Sequence, residues 1–411
     1  MKRAIFPIIF CLLLASIQLP AEGPLSLHGY FKTFVTAFEL PAIDYGSGKY
    51  SEPPMGAATN RLRLKLAFIP NDTISVHAAY DISPAIQDPA LFQQEIFPAG
   101  IAGGAYRFDD FPARLYPGTN EPVGSFALNH NLDRLFVTLK TKIGDIVIGR
   151  QAIAWGSAKL VNPTDVIAPF TFNELDVEER RGVDALRLRV PIGMMDELDF
   201  GVIAGPDFDM TKGAFFARGK FYLWQTDLSI LAMGFRQHLM FGLDIARSIG
   251  GAGFWLETAV VLPHHLDTDT AIKRPNYIRA STGLDYNFGG NLYAFLEFHH
   301  NGAGSSDPTL YIDNFLTPAY TDGSVYLMAK NYLNIGATYQ LHPLIPVTAI
   351  FIYNIDDSSF TFAPSAEYNI AENIYLAAGA YISSGKSPTP FPQSEFGLYP
   401  TMYYTAFRIY F

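Results

Sequence analysis

The chain has 411 residues, of which 14% are aromatic and only 17% are charged, and its formal net charge at pH 7 is −10. This acidic balance argues against nucleic acid as a partner. The one cysteine is Cys11, so beyond the first residues neither disulfides nor thiolate chemistry can contribute to stability or function.

The N-terminal segment predicts a cleaved secretory signal peptide over residues 1–21. Lys2 and Arg3 precede a short apolar stretch, and Ala21 is the small residue expected before the cleavage site. The apolar stretch falls short of the roughly 20 residues that a membrane-spanning helix needs. We therefore expect this segment to be removed after export.

The rest of the chain, residues 22–411, predicts one barrel domain built of alternating strands. Its segments of about ten residues alternate apolar and polar side chains and are separated by Gly, Asn, Asp and Pro. One segment alternates Leu62, Leu64, Leu66 and Phe68 with Arg61, Arg63 and Lys65. One face of such a strand suits lipid and the other suits water, which is the pattern of a transmembrane β-barrel.

Eighteen segments follow this pattern, and tight turns alternate with longer loops between them. The predicted strands span residues 26–40, 58–70, 73–82, 132–142, 145–151, 181–190, 197–205, 213–223, 226–236, 238–248, 252–262, 276–288, 292–300, 330–341, 346–355, 359–368, 373–383 and 401–411. The longer loops cover residues 41–57, 83–131, 152–180, 264–275, 301–328 and 385–398. We predict an all-β fold, a transmembrane antiparallel up-and-down β-barrel of about 18 strands with short periplasmic turns and long extracellular loops. A barrel of about 16 strands is the alternative.

The last segment predicts how the barrel is inserted. Tyr403, Phe407, Ile409 and Phe411 share one face of an alternating strand. A terminal aromatic residue on such a strand resembles the C-terminal signal of outer-membrane proteins. The resemblance implies that the barrel-assembly machinery is a partner, and that outer-membrane lipid and lipopolysaccharide surround the barrel.

The polar faces of the predicted strands divide by charge along the chain. The first half contributes Arg61, Arg63, Lys65, Arg134, Lys140, Lys142, Arg187, Arg189, Arg218 and Lys220. The second half contributes Asp244, Glu257, Asp285, Glu297 and Glu367. A basic wall opposite an acidic one would orient charged solutes, and guanidinium groups bind carboxylate and phosphate well. The alternative is a lumen of mixed polarity, since Asp81 and Asp199 interrupt the basic half.

The loop over residues 83–131 is far longer than a usual connection, and such loops are uncommon unless they have a function. One hypothesis is that it folds inward and narrows the pore. The residues at the constriction would then be Arg107, Asp109, Asp110 and Arg114. An exposed surface loop is the alternative.

The least generic stretch runs from Gly149 to Phe170. It contains Gly-Arg-Gln with Arg150, Trp-Gly with Trp155, and the turn-forming Asn-Pro-Thr-Asp sequence at 162–165. This combination resembles a segment of alginate-export-like barrels and related porin-like proteins. We expect a structural corner braced by Arg150 and Trp155 against the wall, with a role of Arg150 in solute binding as the alternative.

Together these patterns predict an outer-membrane, porin-like channel for the passive passage of small hydrophilic solutes, including anionic ones. Export of an anionic polysaccharide, a surface adhesin and a structural barrel are the alternatives. A hydrolase would need Ser, His and an acidic partner at one rim, and the histidines are scattered without metal-ligand spacing. We therefore expect no enzyme, catalytic residue, metal or cofactor, and we leave open a homo-oligomer.

Overall fold

The computed structural model describes residues 23–93, 106–118, 120–267, 275–321 and 325–411. The predicted signal peptide lies outside these residues and stays a prediction. The longest described helix has five residues, and none is long and apolar enough to cross a membrane.

Among the described residues, eighteen antiparallel strands form one closed barrel in which each strand pairs with its neighbours in the sequence. They are β1 (Leu25–Glu39), β2 (Met55–Phe68), β3 (Ile74–Gln87), β4 (Phe126–Lys140), β5 (Asp145–Gln151), β6 (Val183–Pro191), β7 (Glu197–Ile203), β8 (Ala214–Leu223), β9 (Thr226–Phe235), β10 (His238–Ile249), β11 (Ala252–Leu262), β12 (Tyr277–Asn287), β13 (Leu292–Asn301), β14 (Asn331–His342), β15 (Ile345–Asn354), β16 (Phe360–Ala371), β17 (Ile374–Ser384) and β18 (Thr401–Tyr410). A short extra strand, Arg114–Tyr116, pairs with β4. β1 pairs with both β2 and β18, which closes the ring. The predicted fold and the count of eighteen strands are confirmed.

Alternation along each strand gives the barrel an apolar outer face. In β9, Ile230 is 52% exposed, while its neighbours Ser229 and Leu231 point inward and are buried. Ile278 of β12 repeats the pattern at 51% exposed. Large apolar side chains left this exposed are typical of a barrel whose outer surface meets hydrocarbon.

The two ends of the barrel differ in the way the sequence predicts. At the end where β1 begins, the connections at 224–225, 250–251 and 372–373 have only two residues each. The opposite end carries the long connections, at 88–125, 152–182, 302–330 and 385–400 among others. In outer-membrane barrels the long connections are extracellular and the short ones periplasmic.

The third and fourth strands extend beyond their predicted ends. β3 continues from the predicted residue 82 to Gln87, and β4 begins at Phe126 rather than 132. Ile86 and Phe126 pair across them. The extension includes Pro84 and His130, which blur the alternation. A strand that rises past the lipid no longer needs an apolar outer face, so the sequence pattern fades there.

Part of the barrel interior is apolar and packed by loops. On the inner face, Ile203, Phe216, Met233, Phe235 and Met240 are buried against Ile153, Trp155 and Val166 of the 152–182 connection. A second cluster joins Tyr311, Leu327 and Met328 to Phe396 and Tyr399. Three long connections therefore fold inward and fill part of the barrel at the loop end.

Candidate functional site

The connection between β5 and β6, residues 152–182, crosses the inside of the barrel, and we call it the inserted loop. Its first part contacts inner residues of β10 to β13, and its second part contacts inner residues of β1, β2 and β4. Since β2 and β11 are nine strands apart in a ring of eighteen, these two walls face each other. The inserted loop therefore spans the lumen.

Glu257 of β11 holds the first part of the inserted loop. Its buried carboxylate accepts hydrogen bonds from the backbone N–H groups of Ser157 (3.1 Å), Ala158 (3.1 Å) and Thr164 (2.8 Å), and from Thr164 Oγ1 (2.7 Å). A buried carboxylate needs such donors, because burial without them is costly. One wall residue thus fixes both ends of the segment 157–164.

Glu297 of β13 holds the middle of the same segment. It accepts hydrogen bonds from the backbone N–H groups of Lys159 (2.7 Å) and Leu160 (3.3 Å), and from Trp255 Nε1 (3.2 Å). Lys159 Nζ in turn pairs with Asp285 at 2.9 Å. Asp244 accepts from the Ser157 hydroxyl. Four of the five acidic residues predicted on this wall therefore contact the inserted loop.

The Trp-Gly and Asn-Pro-Thr-Asp sequences form the corner of the inserted loop. Trp155 packs edge-on against Phe216 of β8 at 4.7 Å between ring centroids. Asp165 N–H donates to the Asn162 carbonyl (3.2 Å), and the Asp165 carboxylate pairs with Arg180 at 2.9 Å. Burial raises the pKa of Asp165 to about 6, although Arg180 acts to lower it. Arg180 thus ties the corner to the far end of the loop.

The second part of the inserted loop carries an acidic segment, residues 176–179, that lies on the opposite wall. Its ion pairs are Asp176 with Lys32 (2.8 Å) and Arg61 (2.9 Å), Glu178 with Lys32 (2.6 Å), and Glu179 with Lys65. Glu179 also lies 3.9 Å from Arg63. The segment therefore bridges the cationic side chains of β1 and β2.

The inner cations of this region, which we call the basic wall, are Lys32, Arg61, Arg63, Lys65 and Arg134. The wall has two carboxylates of its own, since Arg63 pairs with Asp81 (3.2 Å) and Asp133 (2.6 Å). Against five cations these two leave an excess of positive charge. The three carboxylates of the acidic segment balance it.

The basic wall is unevenly open to solvent. The side chains of Arg63 and Lys32 are only 1% exposed, because ion pairs surround them. Arg61 is 22% exposed and Lys65 is 40% exposed. Arg61 and Lys65 are thus the cations of this wall that a solute in the lumen can reach.

The other predicted inner arginines lie on β6 and β8. Arg187 forms a two-pronged pair with Asp199 at 2.8 and 2.6 Å, and Arg189 pairs with Glu197 at 2.7 Å. Arg218 donates to the Ser229 hydroxyl at 2.9 Å. The carboxylates on β7 therefore neutralise much of this second basic patch.

Arg150 lies on the outward side of the barrel wall. It stands opposite Leu135 and Asp184 in the strand register, and Leu135 points outward. Its guanidinium pairs with Asp184 (2.8 Å) and with Asp110 (2.9 Å) of the long connection 88–125. Arg150 fastens this connection to the rim.

The described part of the 88–125 connection lies mainly at the rim and the outer surface, but Tyr106 is buried in the interior cluster with Ile153 and Trp155, and Arg107 pairs with the inner-wall carboxylate of Asp133 at 3.3 Å. Arg107 donates to the Gly182 carbonyl (2.9 Å) and also pairs with Asp110. The backbone carbonyl of Asp109 accepts from Arg150 at 2.8 Å. Arg114 donates to carbonyls of its own connection, including that of Pro117 at 2.9 Å. Residues 94–105, where the hypothesis of an inward fold would be decided, lie outside the described residues.

Sequence reasoning missed the partners that matter most here, Lys32, Asp176, Glu178 and Glu179. A signal was present, since an acidic run inside a long loop accompanied an arginine-rich strand face. Within the described ranges no group of three or more His, Cys, Asp or Glu could hold a metal ion.

Several solved barrels share this fold. The outer membrane protein OprD of Pseudomonas aeruginosa has a TM-score of 0.56 at 8% identity, covering 95% of this chain and 94% of that one. OccAB3 of Acinetobacter baumannii has a TM-score of 0.55 at 10% identity, covering 93% and 99%. OpdK of P. aeruginosa with vanillate has a TM-score of 0.51 at 6% identity, covering 93% and 98%. At these identities the likeness establishes the fold.

No protein-family model and no curated protein matches the chain. The local resemblance of residues 149–170 to alginate-export-like barrels therefore stays a prediction.

Proposed function

We propose that this chain is an outer-membrane channel through which small hydrophilic solutes diffuse, with a preference for anions. The apolar outer face and the unequal ends of the barrel support its placement across the outer membrane. The inserted loop, which spans the lumen between its two walls, forms the constriction in this proposal. Lipid and lipopolysaccharide would surround the barrel, and its assembly would use the strand that ends at Phe411.

The observation that carries the proposal is the acidic segment seated on the basic wall. Arg61 and Lys65 hold carboxylates of the segment and remain partly exposed, so a solute carboxylate can compete for the same cations. OpdK, a barrel of the same fold, has been solved with vanillate, which is a small carboxylate. We infer that small organic anions pass along this wall.

The predicted pore residues fall into two groups. Those on the inner face contact or steer solutes, and they are Arg61, Lys65, Arg187, Arg189 and Arg218. Those that hold the wall, the rim or a connection in place are Arg63, Arg107, Asp109, Asp110, Arg114 and Arg150. Substitutions in the first group should alter selectivity, and those in the second group should alter stability.

Neutralising the acidic segment tests the proposal. In D176N/E178Q/E179Q the amides keep the size of the side chains but leave the excess positive charge of the basic wall unbalanced. We expect the anion-to-cation permeability ratio to rise about threefold or more, because charge in a confined passage concentrates counter-ions. Reversal potentials in a KCl gradient across a planar bilayer measure this ratio.

The matched control is D72N/E372Q, which removes carboxylates from exposed short turns and should leave the ratio unchanged. An unchanged ratio in the triple variant would overturn the role of the basic wall. If the folded wild-type chain gives no conductance steps, the channel itself is excluded. An adhesin or structural barrel would then be favoured.

A further inference from the structure

A groove lies on the outward side of the barrel wall where β4 to β7 meet the loop end, and we call it the outer groove. Its back consists of outward aliphatic side chains, Leu135, Ile148, Leu186 and Val202. Each of them is between 45% and 53% exposed. The volume of the groove is about 790 Å³.

Two connections form a roof over this stretch of wall. They contribute Phe108 and Phe111 from one side, and Phe208 and Met210 from the other. The rings of Phe108 and Phe208 stack with centroids 4.6 Å apart, and Asp207 N–H donates to the Phe108 carbonyl at 2.7 Å. The roof is thus a joined structure, although Phe111 and Phe208 remain 61% and 65% exposed.

Polar groups of the groove belong to one small cluster. Arg150, Asp109, Asp110 and Asp184 line it, and Arg150 joins them, since it pairs with Asp184 at 2.8 Å and Asp110 at 2.9 Å and donates to the Asp109 carbonyl at 2.8 Å. The rest of the lining is largely aliphatic and aromatic. An apolar groove with one polar edge matches an amphiphile rather than a hydrophilic solute.

We propose that the outer groove binds one acyl chain of an outer-leaflet lipid, with the lipid headgroup at the polar cluster. The groove opens on the outward wall, where the barrel would meet hydrocarbon, and its polar cluster lies toward the loop end. A second barrel would present a convex wall, which cannot enter a concavity beneath a roof. This inference rests on the proposed membrane placement, but it does not depend on solute passage.

Native mass spectrometry of the full chain in detergent micelles tests the inference, with lipid A and a palmitoyl-oleoyl phosphatidylethanolamine as separate probes. In L186W/V202W the indole rings fill the groove. We expect about tenfold weaker binding of one tightly held lipid, since its buried apolar contact is lost. F108A/F208A removes the stacked rings of the roof without altering a strand, and it should also weaken lipid binding.

The matched control is I230W/I278W, which adds the same bulk to equally exposed outward positions away from the groove and should bind lipid as the wild type does. Folding is checked by heat-dependent gel mobility, and single-channel conductance should stay unchanged in every variant. Equal lipid binding in wild type and L186W/V202W would overturn the proposal. So would a wild-type dimer that the groove variants convert to a monomer, since the groove would then be an interface between copies.

Discussion

A single glycine sets how closely the inserted loop approaches its main anchor. Gly156 has a φ of +111°, and a Cβ there would lie 2.4 Å from Asn162 Oδ1 and 2.6 and 2.7 Å from the carboxylate oxygens of Glu257. In G156A, backbone strain and the contact with Glu257 both push the loop away. We expect the free energy of unfolding to fall by about 2–3 kcal/mol and the single-channel current to become noisier. Urea titration and planar-bilayer recording measure the two effects.

Gly193 provides the control for G156A. It has a φ of +126° in a short turn, and a Cβ there would meet no atom within 4 Å. G193A therefore has a comparable backbone strain without a contact, and we expect a loss of about 1 kcal/mol with unchanged current noise. If both variants behave alike, the contact with Glu257 has no role in holding the loop.

The sequence was sufficient to place some of these residues and not others. Arg150 shares strand parity with the apolar Ile146 and Ile148, so its outward position was already implied by alternation. The acceptor role of Glu257 was not implied, because its donors lie about a hundred residues away in the sequence. Periodicity gives the face on which a side chain lies, and it does not give the partner across the lumen.

Another buried carboxylate joins two of the other long connections. Glu395, in the 385–400 connection, is 0% exposed. It accepts hydrogen bonds from the Met328 N–H (3.0 Å), from Asn354 Nδ2 (3.0 Å) and from the Tyr332 hydroxyl. Its own N–H donates to Asp357 at 2.7 Å. The connections 302–330 and 385–400 therefore hold each other through this residue.

The contact at Glu395 should weaken as the pH rises. Burial, with a smaller contribution from Asp357, raises the pKa of Glu395 to about 8 against the opposing effect of the donors Tyr332 and Met328. The folded state then keeps a proton that the unfolded chain releases, so the stabilisation is complete below about pH 4.5 and is lost as the pH passes about 8. We expect the Met328 amide, measured by hydrogen exchange, to be about tenfold less protected near pH 8.5 than near pH 6.

The variant E395Q keeps the shape of the side chain and cannot ionise. Its Met328 protection should therefore be independent of pH over the same range. If the protection of the Met328 amide in the wild type is also independent of pH, then the opening of this contact is not coupled to the ionisation of Glu395.

Loop length alone did not identify the connection that spans the lumen. The described part of the longest predicted loop, 83–131, lies mainly at the rim, with Arg107 reaching Asp133 of the inner wall, whereas the shorter inserted loop spans the lumen. What distinguishes the inserted loop is its content, since it presents backbone N–H groups to buried glutamates and carboxylates to buried cations. These partners lie on strands that only the closed barrel brings close to the inserted loop. Single segments of sequence therefore could not reveal the pairing.

The barrel as a whole was predictable because closure and the membrane impose one simple rule. Every backbone group must be paired inside the sheet and every second side chain must suit hydrocarbon, so alternation marks each strand. The pattern gave eighteen strands and the alternation of short and long connections. Its largest errors were at the loop-end extensions of β3 and β4, where this rule no longer applies.

The same rule gives a test of whether the outer face meets hydrocarbon. Ile230 lies near the middle of β9 on the outer face, and Thr348 lies near the middle of β15 on the inner face, where its hydroxyl is 3.0 Å from that of Thr338. For the barrel folded into phospholipid vesicles, I230R should lower the free energy of unfolding by about 2–4 kcal/mol, because arginine at mid-depth faces lipid. T348R should cost less than about 1 kcal/mol, since its guanidinium can reach water in the lumen.

Urea unfolding followed by tryptophan fluorescence measures the free energy of unfolding of both variants. Equal losses in I230R and T348R would mean that both faces of the barrel contact water. The barrel would then not span a membrane, and it could not act as a channel across one.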